Sequence, residues 1–584
     1  MITLYENATH VILTGKPREL DVLSDNFKFR PEGHFFALSY QRYKVSKGEE
    51  GWDGYFYPLA RINSTSAKIL RGRKEQLIRL AELEGFQVDL THLLEYPFAD
   101  SEIDDVRPDI VAGEHQLDMN QRQCILDWLR AGIGFNKVTV GGGKTMTFAG
   151  AAAVIKERYP EARFVYVTPS ERLVRQVTRE MKKFLPHFDI GQCGGGHRQF
   201  DAKDMVVCTV AMLNTHYSTL KANKWFDAFM GILYDEVHHA GSKTSKKILL
   251  TIPAYFRLGA SDTAKENDLV RWNDVQGLFG PLLNEVHAAP LIDIGRLARP
   301  HIYVVDKPEW IGKMSHVPFR PDVGSPAYVL LDGDWVSGLY AGPVYELDDK
   351  GKRKLKSIKT ADKDKAGEWI VVQEPVTVNG LHRVEIEGVE HEIESRWCLL
   401  DRMYDRAIIQ FKSRNAMIVE WARYFNRKGW STVVVATRTT HVYILEALLK
   451  QALGEAAVEI LVGKDSPAER DAMFDWFKAT PGAVLITPLV KEGVSINEIR
   501  AMIVADHVAD FEVARQIIGR AMRPKKGKDN RAHVVWFWDK QHTVLRRGCS
   551  KIFNQLARVE GFEFYHPCVG PEGVFPDDFR SNAT

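Results

Sequence analysis

The sequence predicts an α/β protein: two tandem parallel-sheet domains, an N-terminal α+β domain ahead of them, and a β-rich insert between them. Three observations carry this. Short apolar runs alternate with helical segments over residues 115–305 and again over 400–545, the pattern of strands buried on both faces of a parallel sheet. The stretch between, 310–398, is instead rich in aromatic and β-branched residues broken by turns such as Asp332-Gly333-Asp334. A chain of 584 residues also exceeds what one hydrophobic core sustains. The expected boundaries are 1–110, 111–307, 308–400 and 401–584.

Residues 1–110 carry strand-like runs such as Thr9-His10-Val11-Ile12-Leu13 and one helix, Lys74 to Glu84, with Leu77, Leu80 and Leu83 at helical spacing. Gly51-Trp52-Asp53-Gly54 reads as a turn, with Trp52 a core residue. Arg71-Gly72-Arg73-Lys74 reads equally as a solvated basic face or a nucleic-acid contact. The first sheet takes strands from Lys137-Val140, Phe164-Val167, Met205-Cys208, Gly231-Tyr234 and His301-Val305. The second takes Thr432-Ala436, Ala483-Thr487, Ala501-Ala505 and His533-Phe537. In the insert, the charged run Asp348 to Lys354 is expected at a solvated hairpin tip.

Bulk properties bound the partners. The 78 basic and 76 acidic side chains leave a net charge of +2, so contacts to a polyanion must come from local basic patches. Six cysteines (Cys124, Cys193, Cys208, Cys398, Cys549, Cys568) form no C-x-x-C pair, which favours a reducing compartment over disulfides or metal ligation. The N-terminus lacks the basic and apolar regions of a signal peptide, and no run approaches 18 apolar residues. A cytoplasmic protein is expected.

Val138-Thr139-Val140-Gly141-Gly142-Gly143-Lys144-Thr145 follows a strand and opens a helix. Free backbone N–H groups at such a helix start cradle phosphates; Lys144 would neutralise them and the Thr145 hydroxyl would reach Mg²⁺. Val138 stands where the usual G-x-x-x-x-G-K-T spacing has its first glycine. Asp235 and Glu236 end the apolar run Gly231-Ile232-Leu233-Tyr234. Asp235 is placed to hold the metal, and Glu236 to align or deprotonate an attacking water. The cofactors expected are therefore ATP and Mg²⁺. His238 reads either as a packing residue or as a link from this site to the second sheet.

Asp235-Glu236-Val237-His238 with Gly141 to Thr145 upstream resembles superfamily 2 helicases and translocases of the D-E-x-H group, and further motifs follow in the family's order. Ser261-Asp262-Thr263 is similar to the S-A-T motif that couples hydrolysis to strand movement, departing at Asp262. Thr168, Ser170 and Thr209 match backbone-gripping positions. Gln123 stands where the family reads adenine, with Gln121 a competing candidate. Thr487 and Glu492-Gly493-Val494-Ser495 resemble motif V, placing Thr487 on the nucleic-acid backbone and Gly493 near the nucleotide. Gln516-Ile517-Ile518-Gly519-Arg520-Ala521-Met522-Arg523 matches Q-x-x-G-R-x-x-R at every fixed position. The resemblance implies that Gln516, Arg520 and Arg523 serve the γ-phosphate, with Arg523 as the finger. Asn273-Asp274-Val275, Leu278 to Pro281, Leu291 to Gly295 and Leu297 resemble the phage UvsW-type branch, related to XPB and RecG.

The resemblance implies two RecA-like motor domains and ATP-driven movement along nucleic acid, read through phosphates rather than bases. The expectation is a DNA helicase or translocase that unwinds or branch-migrates forked or branched DNA in replication, recombination or repair. It would track a single strand, act as a monomer, and meet replication or recombination proteins; a phage-encoded copy would act in the host cytoplasm. An RNA helicase, or a duplex translocase that does not separate strands, uses the same motor. A nucleotide-gated binding module is the rival from another class.

Overall fold

The computed structural model describes residues 1–31, 52–94, 98, 103–113, 116–262, 268–306, 326–331, 334–343, 345–347, 353–355, 369–372, 380–386, 389–395, 408–463, 465–488, 499–508, 510–525, 530–539, 543–568 and 570–574. The chain divides into two compact units, Met1–Leu297 and Ala298–Thr584.

The first unit opens with a five-stranded sheet in the order β3-β4-β2-β1-β5, made of β1 (Ile2–Glu6), β2 (His10–Thr14), β3 (Ala60–Asn63), β4 (Ser66–Leu70) and β5 (Val88–His92). All pairs are antiparallel except β1 with β5. Alternation places Ile2, Leu4, Val11 and Leu13 inward. There they meet Leu20, Leu23 and Phe27 of α1 (Pro17–Phe27) and Leu77 and Ala81 of α2 (Lys74–Leu83). Leu83, expected on that apolar side, is 84% exposed. Six residues on at roughly 100° each, it lies about 120° round the helix from Leu77, and Ala81 takes the inward place. Trp52 is half-buried and donates from Nε1 to the Tyr55 carbonyl at 2.7 Å.

The basic cluster at 71–74 is a docking element. Arg71 is 3% exposed, pairs with Glu6 at 2.8 Å and donates to the Tyr255 carbonyl at 2.5 Å. Arg73 donates to Asn273 Oδ1 at 2.6 Å, and Lys74 lies 3.1 Å from Glu6. From the other side, buried Arg257 donates to the Ala8 carbonyl at 3.1 Å. Burial and the adjacent Arg71 lower its pKa to about 9. Charges that read as a solvated face or a nucleic-acid contact instead fasten the N-terminal domain to the sheet that follows.

That sheet has the order β13-β6-β12-β11-β7-β10-β8-β9. Its strands are β6 (Ile133–Val138), β7 (Phe164–Thr168), β8 (Ile190–Gly194), β9 (His197–Arg198), β10 (Met205–Thr209), β11 (Gly231–Asp235), β12 (Phe256–Ser261) and β13 (Leu282–Val286). Only β9 runs antiparallel, as a short edge against β8. The helices are α3 (Met119–Ala131), α4 (Lys144–Arg158), α5 (Glu171–Phe184), α6 (Val210–Thr215), α7 (Tyr217–Ala222), α8 (Lys243–Thr251), α9 (Leu269–Phe279) and α10 (Ala288–Asp293). Two cores result, one around Trp128, Phe148, Phe164 and Tyr166, the other around Phe135, Phe226, Ile232 and Phe279.

The second unit holds a seven-stranded parallel sheet, β23-β24-β22-β25-β26-β14-β27. Its strands are β14 (Arg299–Asp306), β22 (Thr432–Val435), β23 (Val458–Ile460), β24 (Val484–Thr487), β25 (Ala501–Val504), β26 (Arg531–Trp538) and β27 (Glu563–Cys568). Its helices include α11 (Lys412–Arg427), α12 (Thr439–Leu453), α13 (Pro467–Ala479), α14 (Phe511–Ala521) and α15 (Thr543–Glu560). Here the expected boundary moves. β14, assigned by sequence to the first sheet through His301-Val305, pairs in register with β26 along its full length and also with β27. Apolar content makes a strand without stating its neighbours, and β14 belongs to the second sheet. The insert therefore lies inside the second motor domain, after its first strand. Its strands are β15 (Pro326–Leu331), β16 (Asp334–Pro343), β17 (Tyr345–Leu347), β18 (Arg353–Leu355), β19 (Trp369–Val372), β20 (Gly380–Ile386) and β21 (Val389–Ser395). They form an antiparallel sheet, β19-β15-β16-β20-β21, and a hairpin of β17 with β18. Most of the charged run expected at a hairpin tip, 348–352, lies outside the described residues, between the two hairpin strands.

Candidate active site

The C-terminal ends of β6, β12, β11, β7 and β10 lie side by side, and Asp235, Ser261, Thr168 and Thr209, singled out by sequence, stand at those ends. Ser261 is in register with Lys137, Asp235 with Ala260, Tyr234 with Val167, and Thr209 with Thr168. In a parallel α/β sheet this edge is where loops converge on a ligand.

β6 stops at Val138, and Thr139 to Gly143 turn directly into α4. Gly141 and Gly143 have φ of 79° and 87°, left-handed values that a side chain resists. Gly143 is the N-cap of α4 with no side chain over the helix start, so the first amides of that helix are left for an anion. Lys144 and Thr145 open the helix. Val138, at the missing first glycine, is 3% exposed and packs as a strand residue.

Asp235 ends β11. Glu236 then adopts φ 54°, ψ 57°, one of two non-glycine residues with positive φ among the described residues. Such a conformation costs on the order of 1–3 kcal/mol and survives only where its surroundings enforce it. It reverses the chain at once into the 3₁₀ turn Val237–Gly241 and returns the Glu236 carboxylate to Lys144, whose ammonium donates to it. Asp235 lies 3.8 Å from the same ammonium. Burial alone would lower the Lys144 pKa, but Glu236, Asp235 and the buried Asp262 raise it. Burial, with Glu236 alongside, holds Asp235 above the ordinary carboxylate range; Lys144 and His238 hold Glu236 below it against burial. The buried Asp235 carboxylate, the partly exposed Glu236 carboxylate and the Thr145 hydroxyl are hard oxygen donors, a set that suits magnesium beside phosphates.

Ser261, at the end of β12 and fully buried, joins the acids to the histidine. Its hydroxyl donates to Glu236 Oε2 at 3.1 Å and lies 2.7 Å from His238 Nδ1. Burial lowers the His238 pKa to about 4, with Glu236 opposing, so the imidazole is neutral at pH 7.

The adenine position divides the two candidate glutamines. Gln123 is exposed and donates to Asp127, one turn along α3. Gln121 is 3% exposed and donates from Nε2 to the Gly143 carbonyl at 3.3 Å. Spacing from Lys144 does not separate two residues so close in sequence; helix phase does, because only Gln121 faces the loop. Arg296, which sequence reasoning missed, reaches Gln121 Oε1 at 2.9 Å and pairs with Asp118.

Thr168 and Thr209 are buried at the ends of β7 and β10. Thr168 donates from Oγ1 to the Ser170 carbonyl at 3.0 Å, and Thr209 caps α6 through the Met212 amide at 3.1 Å. Ser170 is the N-cap residue of α5. In the second unit Thr487 ends β24 opposite Val435. Gln516 and Arg520 are one turn apart on α14, capped by Asp510, with Arg523 just past its end. Their neighbour Arg515 is buried and ion-paired to Glu512 at 2.7 Å and Glu560 at 3.5 Å. Thr263, Glu492, Gly493, Val494 and Ser495 lie outside the described residues. Among the described residues, His507, Asp539 and Cys549 bring metal-ligating atoms together. There Arg414 already pairs with Asp539, and burial pushes the Cys549 thiol up to about 12. Among the described residues no helix is long and apolar enough to cross a membrane.

Residues 114–266 match the family described as the res subunit of type III restriction enzymes, and residues 414–525 match the helicase conserved C-terminal domain. The chain is 26% identical over 226 residues to the XPB helicase/translocase subunit of general transcription and DNA repair factor IIH from Schizosaccharomyces pombe, covering 36% of this chain and 27% of that protein. It is 24% identical over 166 residues to the DNA 3'-5' translocase XPB2 of Sulfurisphaera tokodaii, covering 28% of this chain and 35% of that protein. The matched stretches thus span about a third or less of these relatives' own length. A crystal structure of UvsW from bacteriophage T4 aligns over 97% of this chain and 98% of its own, with 15% identity and a TM-score of 0.38. The two halves of a superfamily 2 helicase motor are thus matched in order along this chain, which is similar to that superfamily.

Proposed function

We propose that the chain is an ATP-dependent DNA helicase or translocase acting on forked or branched DNA in replication, recombination or repair. The observation that carries the motor reading is the linked set Lys144, Glu236, Ser261 and His238: a phosphate-loop lysine, a strained carboxylate, and a hydroxyl joining that carboxylate to a histidine. The preference for DNA over RNA rests on the relatives, whose names describe a DNA repair factor subunit and a DNA translocase.

On this reading the amides from Gly141 to Thr145 and the Lys144 ammonium hold the triphosphate. Thr145 and Asp235 would hold magnesium, which would supply neutralising charge at the phosphates when bound. Glu236 aligns and deprotonates the attacking water. Gln121, rather than Gln123, reads the adenine edge. Ser261 passes the state of Glu236 to His238 and the neighbouring loop. Gln516, Arg520 and Arg523 stabilise charge on the transferring phosphoryl, a contribution of roughly 10³ to 10⁵ in rate for an arginine finger. Thr168, Ser170, Thr209 and Thr487 grip the nucleic-acid backbone, so sequence preference is weak and salt dependence strong.

The test is ATPase and strand separation measured side by side on single-stranded, forked, four-way-junction and RNA substrates. Lys144→Ala and Glu236→Gln are expected to abolish turnover without loss of fold, and forked or branched DNA to stimulate the wild type most. Turnover retained in Lys144→Ala would remove the phosphate-loop assignment. Stimulation by RNA alone would turn the reading to an RNA helicase. Triplex displacement without fork opening would turn it to a duplex translocase.

A further inference from the structure

Arg296 occupies a place that neither the motifs nor the spacing assigns. It follows α10 in a turn where Gly295 has φ 76° and the amides of Arg296 and Leu297 both return to the Leu291 carbonyl, at 2.8 and 3.1 Å. The turn is anchored under the phosphate loop. Leu291 and Leu297, each 1% exposed, lie where a side chain on Gly142 or Gly141 would sit, their methyls 3.3 and 2.9 Å from the Cβ positions. The guanidinium therefore rests on a fixed base. Its Nη1 meets both the Asp118 carboxylate and Gln121 Oε1, the latter at 2.9 Å. Its Nη2 lies 3.2 Å from where a Gly143 Cβ would stand.

The Gln121 carboxamide is thereby held in one of its two orientations. Guanidinium nitrogens only donate and a carbonyl only accepts. The oxygen accepts from Arg296 and from the Asp118 amide at 3.1 Å, while the nitrogen donates to the Gly143 carbonyl at 3.3 Å. All three partners select the same flip. A carboxamide offers an acceptor and a donor side by side, the complement of the N6 amino and N7 of adenine. Recognition of guanine O6 with N7 would require donors at both positions, so a fixed carboxamide oxygen penalises a 6-oxopurine. We propose that Arg296 is a positioning residue for base specificity: by fixing the flip of Gln121 it makes the site select a 6-aminopurine nucleotide over a 6-oxopurine one. This inference rests on the ATP-site reading above.

The experiment measures steady-state hydrolysis of ATP and GTP by full-length wild type, Arg296→Ala, Arg296→Lys and Asp118→Asn. The Asn variant keeps an N-cap oxygen for α3 while removing the anion that holds Arg296. In Arg296→Ala the ATP-over-GTP ratio of kcat/KM is expected to fall roughly tenfold, the weight of one charged hydrogen bond. The change should lie in KM rather than kcat. Asp118→Asn should shift the ratio in the same direction, and lysine, which restores a cation at the single contacting position, should recover most of the selectivity. An unchanged ratio and KM in both Arg296→Ala and Asp118→Asn overturns the proposal, as does failure of lysine to rescue while Asp118→Asn stays at the wild-type ratio. If wild type itself shows no ATP hydrolysis sensitive to Lys144→Ala, the ATP-site reading fails instead, and the two failures are distinct.

Discussion

Gly72→Ala puts the docking of the N-terminal domain to a direct test. Gly72 sits in the 3₁₀ turn Arg71–Arg73, so alanine meets no conformational penalty there. On its own it would stabilise by about 0.4–1 kcal/mol through the unfolded chain. Its Cβ, however, would stand 2.1 Å from the Gln276 carbonyl oxygen, 2.5 Å from the Gly280 amide and 2.8 Å from the Gly277 carbonyl oxygen. All three are backbone atoms at the end of α9, with no rotamer to move aside. Overpacking typically costs about 1–3 kcal/mol, and a rigid backbone neighbour puts this case at the upper end. A net loss of about 2–3 kcal/mol is expected, or roughly 5 °C in the melting of the 297-residue first unit. Gly85→Ala is the control: it has φ 73° and open space around its Cβ, so it pays only backbone strain of about 1–2 kcal/mol. Thermal unfolding followed by circular dichroism reads both. If Gly72→Ala melts within a degree of wild type while Gly85→Ala does not, the 71–73 turn does not dock as described.

Two further substitutions address the site and the second sheet. Ser261→Ala removes the hydroxyl between Glu236 and His238, 3.1 and 2.7 Å away. Nucleotide binding should persist while turnover falls about tenfold, since a hydrogen bond to a charged group is worth about 1.5–3 kcal/mol; strand separation should fall further than ATPase, and wild-type coupling in this variant would refute the link. Asp506 is fully buried and accepts from the Thr437 amide, from Thr437 Oγ1 at 2.7 Å and from the Arg438 amide at 3.2 Å, with His441 Nδ1 2.5 Å away. Burial would raise its pKa, but these partners, His441 first, lower it. A carboxyl depressed in the folded state adds stability above its unfolded pKa and loses it as pH falls through the folded value. Asp506→Asn should therefore cost about 1–3 kcal/mol near pH 7 and lose less on acidification towards about pH 3, read by chemical denaturation; equal acid sensitivity in both proteins would refute the assignment.

The chemistry of the first unit was legible because it is local. A glycine loop between a strand and a helix, and two acids at a strand end, are contiguous in sequence, and the structure brings Lys144, Asp235 and Glu236 together. What escaped depends on separations the sequence does not encode. β14 is as apolar as its neighbours, and only its register with β26 assigns it to the second sheet. Gln121 and Gln123 are two residues apart, and helix phase decides which faces Gly143. Arg296 lies 175 residues from Gln121, with no spacing to announce it. Arg71, Arg257, Arg414 and Arg515 are among the most buried side chains. A charge pattern reads such residues as surface, because burial of a cation depends on partners far along the chain.

The contact between Lys144 and Glu236 bears on how hydrolysis is gated. In the structure Lys144 and Glu236 neutralise each other, and Glu236 reaches that contact from a left-handed backbone conformation. On the function proposed above, a triphosphate entering the loop competes for Lys144 and returns Glu236 as a free carboxylate held by Ser261. The general base then becomes available only when its substrate has taken its partner away. Partial desolvation strengthens the exchange, because both side chains are only partly exposed (16% and 22%) and an ion pair in such surroundings yields most readily to another anion of comparable charge. Glu236→Gln therefore weakens two things at once: the base is lost, and so is the anion that holds Lys144 before nucleotide arrives. Nucleotide affinity in that variant should rise while turnover disappears. Affinity unchanged or lowered, measured with a fluorescent ATP analogue, would show that the two side chains do not compete.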